Sequence, residues 1–247
     1  MYISGIGIVF DKQRKDRLVL KDARRADDLS KMAVLAAHDA FVDSGLKDEA
    51  KENLGVILAT AFGPHVTTFR FLDDILNYGD VNVSPTLFSH SVHNAANSYI
   101  SSNLCIHGPT LTLSAFSNSF YQALLVAESW LNEKRCEHIL VGSVEQSGKE
   151  MDYILSQAAP KLMPREGSVF FLVSAKECPQ RYCSISAVLN EDTGGAYILE
   201  GNGPPAASSF DCARAARMLK DETLKVNKIH YLGYNCRKEK TAVELRK

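Results

Sequence analysis

Residues Gly108 to Phe120 read GPTLTLSAFSNSF. A Gly-Pro turn opens the stretch, and a short β-prone run, Thr110 to Ala115, follows it. The run breaks at Phe116, Ser117 and Asn118, just before apolar residues recur at helical spacing from Phe120. A strand that turns sharply into a helix exposes the side chain at its tip, and the helix N-terminus behind it favours negative charge. The stretch therefore has the outline of a nucleophile elbow.

Outward from it, apolar runs alternate with helical patterns. Tyr2 to Phe10, Leu54 to Ala61, His138 to Glu145 and Val169 to Ala175 read as buried strands, and Cys183 to Leu189 and Ile229 to Tyr234 as further strands. Helices are predicted around Leu29 to Phe41, with Gly45 as C-cap, and over His65 to Tyr78, Ser91 to Leu104, Phe120 to Leu131 and Ala213 to Leu224. Val81 to Leu87 and Gly194 to Ser209 read as loops, and Arg237 to Lys247 as a charged tail, helical or frayed. Alternating strands and helices argue for an α/β fold with layered sheets and helices.

The 247 residues suffice for a substantial core. A net charge of −1 without a dominant basic run argues against nucleic-acid binding. No apolar run approaches bilayer length, so no membrane association is expected. The N-terminus reads as a strand, not a secretory signal. Six scattered cysteines without C-x-x-C spacing read as free thiols of a cytoplasmic protein, with neither metal nor cofactor expected. His90 and His93 are spaced H-x-x-H, but no acidic or cysteine partner follows, and hydrogen bonding is the preferred reading.

Three segments carry a resemblance: PTLFSHSVHNAANSYISSNLCIHGPTLTLSAFSNS, then HILVGSVEQ, then REGSVFFLVSA. In content, order and spacing they resemble β-ketoacyl synthases, the condensing enzymes of fatty-acid and polyketide synthesis. That resemblance implies a thiolase-like layered α/β/α fold with an incomplete second half. Residues 1–175 would be the ketosynthase-like N-terminal half, and 176–247 a remnant of the C-terminal half packed on it as one unit. Active members carry a cysteine at the elbow and two histidines and a lysine in the second half. Here the cysteine's place falls on Ser117, and the first histidine's on Asn235. The segment for the lysine and second histidine is absent. A serine without a base is a weak nucleophile, so no catalytic residue is assigned.

One branch resembles this pattern: the chain-length factor of type II polyketide systems, the nucleophile-free subunit that pairs with an active ketosynthase. The resemblance implies a heterodimer with a full-length ketosynthase and service to an acyl carrier protein. It implies an interface along Thr110, Leu111, Thr112, Leu113, Ser114 and Ala115. It also implies that Leu87, Phe88, Ala95, Tyr99 and Phe116 bound the acyl-chain pocket. The alternative is an enzyme in its own right, a serine-dependent acyltransferase or malonyl decarboxylase using Ser117. Arg214, Arg217 and Lys220 read as a solvated helix face.

Overall fold

The structure is a computed structural model. It describes the chain except residues 11–15, 17, 159–165, 178–181, 189–196, 202–204, 222, 224–225 and 235–239. Its strands are β1 (Tyr2–Val9), β2 (Leu54–Thr60), β3 (Thr110–Ser114), β4 (His138–Glu145), β5 (Gly167–Ser174), β6 (Ser184–Val188), β7 (Tyr197–Gly201), β8 (Lys228–Tyr234) and β9 (Lys240–Arg246). Its α-helices are α1 (Asp28–Ser44), α2 (His65–Tyr78), α3 (Pro85–His90), α4 (Ala95–Leu104), α5 (Ser119–Asn132), α6 (Lys149–Ala158) and α7 (Pro205–Lys220).

The strands form one sheet in the order β3-β2-β4-β5-β1-β6-β9-β8-β7. It has two wings, joined where Tyr2 of β1 meets Ser184 of β6. The wings repeat a plan. In each, a helix (α5 or α7) leads into a strand (β4 or β8). That strand pairs antiparallel with its successor, β5 or β9. The successor pairs with the first strand of the wing, β1 or β6. In the first wing β2 lies parallel to β4, and β3 lies parallel to β2 at the edge.

Helices α5 and α7 lie between the wings. Phe120, Leu124 and Ala127 of α5 and Ala213, Ala216 and Leu219 of α7 share one core. Ile57, Val141 and Phe171 of the first wing join it, as do Ile185, Ile229, Val243 and Leu245 of the second. A second core covers the other face of the first wing, where α1 and α4 meet Val56, Leu58, Leu140, Phe170 and Leu172. The α/β layering expected from the sequence is therefore present.

Local chemistry sets these elements. The Asp27 carboxylate accepts from Ser30 N at 2.9 Å and caps α1, and Gly45 ends it with φ 69°. Helix α1 rides unusually close to β1, because a Cβ at Gly5 would lie 2.1 Å from Ala40 O and one at Gly7 1.9 Å from Ala36 O.

Four segments differ from the sequence reading. Ser84 caps α3 by accepting from Leu87 N at 3.3 Å, with Pro85 in the first turn, so part of the expected loop 81–87 is helical and α4 starts only at Ala95. The Gly/Pro/Ala-rich stretch that reads as loop in the sequence holds β7 and the start of α7, where Pro205 suits a first turn. The charged tail contains β9, with Val243 and Leu245 inward and Glu244 outward. Helix α6 was not anticipated at all. Gly194 and Gly195, read as loop glycines, lie outside the described residues.

Candidate functional site

The C-terminal ends of β2, β3 and β4 share one edge of the first wing, as their parallel registers require. The elbow lies there. Ala115 N donates to Thr60 O at 3.1 Å and closes the strand pairing. Phe116 projects with 76% exposure, and Ser117 is half-buried. Asn118 takes the left-handed conformation, φ 58° and ψ 20°, immediately before Ser119 opens α5. Asparagine tolerates that region better than most residues. The sharp strand-to-helix turn expected from the sequence is thus real, and its positive-φ residue is Asn118, next to Ser117.

The turn beside it, Thr60 to Pro64, is held by a residue to which the sequence reading gave no role. Glu145, at the end of β4, is fully buried. Its Oε1 accepts from Thr60 Oγ1 at 3.2 Å and from Ala61 N, and its Oε2 accepts from Phe62 N at 3.3 Å. Thr60 Oγ1 in turn accepts from Gly63 N at 2.9 Å. Burial pushes the Glu145 carboxyl up to about 7, against the three hydrogen bonds that favour its charge. The only sequence signal is an acid closing a largely apolar strand. Phe62 packs against Phe116 with ring centroids 6.1 Å apart, which ties this turn to the elbow.

The histidines near this edge have other occupations. His65 Nδ1 lies 3.3 Å from Gly63 O, and burial lowers its pKa. His90 Nε2 lies 2.7 Å from Tyr99 Oη. The His93 ring lies over Gly63, where φ is 60° and a Cβ would be 2.5 Å from His93 Cδ2. His90 and His93 thus have different neighbours, and no group of three or more His, Cys, Asp or Glu that could hold a metal ion occurs among the described residues.

The expected pocket residues fall into separate settings. Phe88 is 58% exposed and packs on Phe71 with centroids 5.5 Å apart. Leu87 is half-buried beside it in α3. Ala95 is buried, and Tyr99 is bonded to His90. Phe116 belongs to the elbow with Phe62. Asn235 lies outside the described residues.

Strand β3, expected as an interface, is the sheet edge and is half-buried to exposed along its length. Val56 N donates to Pro109 O at 2.9 Å, and Ala115 N to Thr60 O. In a parallel ladder these bonds turn the odd-numbered residues toward β2. The N–H and C=O groups of Thr110, Thr112 and Ser114 then point off the sheet. From behind, Asn97 Nδ2 of α4 donates to Leu111 O at 2.8 Å and steadies the strand. Leu72, Leu76, Tyr78, Val81 and Val92 add exposed apolar surface around α2 and α3. Cys105, Cys136, Cys183 and Cys212 form no disulfides. Arg214, Arg217 and Lys220 are exposed on α7, with the Lys220 ammonium 3.9 Å from the Tyr182 ring centroid.

Residues 16–202 match the family model described as β-ketoacyl synthase, N-terminal domain. No curated protein matches in sequence. Among solved structures, the AntDE:AntF complex is similar with a TM-score of 0.81 at 13% identity, over 99% of this chain and 98% of that one. It is described as a type II PKS acyl-carrier protein in complex with its ketosynthase bound to the hexaketide. The ishigamide ketosynthase/chain length factor gives 0.78 at 15% identity over 99% and 98%. A β-ketoacyl synthase from Burkholderia phymatum STM815 gives 0.78 at 11% identity over 100% and 98%. At these identities the likeness establishes the fold. The likeness takes in nearly the whole of each of those chains.

Proposed function

The chain belongs to the β-ketoacyl synthase family, and from that membership we propose that it is a non-catalytic, chain-length-factor-like subunit. It pairs with an active β-ketoacyl-ACP synthase in polyketide or specialised fatty-acid synthesis and helps shape the acyl-chain pocket. The observation that carries the proposal is the elbow. It keeps the strand, the positive-φ turn and the helix N-terminus, but has Ser117 and Asn118 where condensation needs a thiolate.

Two further features support a subunit role. The outward backbone groups of Thr110, Thr112 and Ser114 form an unpaired edge, which natural proteins rarely leave bare. The exposed apolar side chains of α2 and α3 would be covered by a large partner. In this reading residues 1–175 and 176–247 act as one unit, the partner supplies the complete catalytic set, and an acyl carrier protein delivers the substrates. The compartment is the cytoplasm. Among the described residues, no helix is long and apolar enough to cross a membrane.

Co-expression with a ketosynthase carrying an intact Cys-His-His set tests the proposal. A stable pair that elongates chains on a carrier protein is expected. A chain that is monodisperse alone and itself transfers or hydrolyses acyl groups would favour the alternative, a serine-dependent acyltransferase or malonyl decarboxylase.

A further inference from the structure

A cavity of about 330 Å³ opens between α2 and the link from β4 to α6, within the size range of small-molecule sites. Its wall contains a polar atom with nothing to bond. Gln146 lines the cavity and is 6% exposed, yet its Oε1 has no partner. Close by, His65 is equally buried, and its Nε2 is also unpartnered. Gly63 O can only accept, so its bond to His65 Nδ1 puts the ring proton there and leaves Nε2 a bare acceptor. Gly148, another lining residue, stands against that atom, since a Cβ there would lie 2.8 Å from His65 Nε2. Bare buried acceptors are costly, which favours a molecule that brings donors.

The rest of the lining is mixed in character. Asp28, Asp73 and Glu150 bring carboxylates, and Arg70 and Lys149 bring cations. Asp28 also faces Lys31 at 3.7 Å. Among the described residues, no ion pair holds Arg70 or Lys149. Val66 and Phe69 of α2 add an apolar wall.

We propose that this cavity binds a free amino acid with an apolar side chain. The ammonium group, which only donates, serves Gln146 Oε1 and the carboxylates. The carboxylate of the ligand meets Arg70 and Lys149. The side chain lies on Val66 and Phe69. A zwitterion uses both signs of the rim at once, which an amine or an acid alone does not. The site is independent of the pairing role, since all its residues belong to this chain.

Isothermal titration calorimetry of the full chain tests it, with L-leucine, L-phenylalanine and two truncated analogues of phenylalanine. Saturable binding of at least one amino acid is expected at millimolar or lower concentration. Hydrocinnamate lacks the ammonium and phenethylammonium lacks the carboxylate, so each should bind at least about fivefold more weakly than L-phenylalanine. Gln146→Leu should weaken amino-acid binding by a similar factor. Arg70→Ala should weaken the amino acid but not phenethylammonium. Absence of saturable binding by both amino acids would overturn the site and leave water as the partner of Gln146. Analogues that bind as well as L-phenylalanine, or unchanged affinity in Q146L, would overturn it too. Should Q146L fail to fold, the analogues and R70A, at an exposed position, still decide.

Discussion

Glu145 shows what a single side chain contributes. Its carboxyl is raised from 4.5 to about 7 because burial outweighs three hydrogen bonds. A raised acid contributes stability that is fully present below its unfolded value and is lost as pH rises through its folded value. Wild-type stability should therefore fall between pH 4.5 and about 7, by up to roughly 3 kcal/mol from this group. Urea unfolding of E145Q across that range should show a flatter profile; an identical slope would remove Glu145 as its source. Two further residues give simpler expectations. Asp27→Ala removes the α1 cap and should cost about 1 kcal/mol in urea unfolding. Ala96 is 1% exposed. Ala96→Phe should therefore overpack the core by about 1–3 kcal/mol or more. At the residue level the sequence points to Ser117 by counting from Gly108-Pro109, which needs no tertiary information. It does not point to Glu145, because a charge-free environment is a property of the folded edge and not of the string HILVGSVE.

At the level of elements, β3 decides whether the edge strand joins another chain. Thr112→Pro removes an outward N–H while β2 keeps its bonds to the odd-numbered residues. It should weaken association with a ketosynthase at least tenfold in analytical ultracentrifugation while leaving the far-ultraviolet spectrum unchanged; unaltered association would place the interface elsewhere. Periodicity made the elements of the first wing legible, since β1, β2, β4 and β5 are buried on both faces and read as continuous apolar runs. The second wing was harder. In β9 the inward Val243 and Leu245 alternate with Glu244, which pairs with His230 at 2.9 Å and with Lys228 and Arg246. One charged face hid the strand. In α7 the first turn, from Pro205 to Ser209, falls in a Gly/Pro/Ala/Ser-rich stretch that reads as loop, while Ala213, Ala215 and Ala216, which let it sit between two wings, fall in the part that reads as a short basic helix.

Over the whole molecule, the two wings clasp α5 and α7, and the elbow sits where α5 emerges at the sheet edge. That architecture is shared with the β-ketoacyl synthase family, and in the proposed reading Ser117 takes the place of the thiol. The resemblance conveyed fold and family because both are carried by long patterns, which the family match and the 0.81 TM-score bear out. Phe88, Tyr99 and Phe116 look alike in sequence but occupy different settings: one on exposed α3, one bonded to His90, one on the elbow. The most direct test of the central claim is chain elongation by the reconstituted pair, with Ser117→Ala in this subunit and the ketosynthase cysteine intact. Elongation within about twofold of the unsubstituted pair is predicted, because the chemistry belongs to the partner. Abolished elongation from a pair that still associates would contradict it and make Ser117 a working nucleophile.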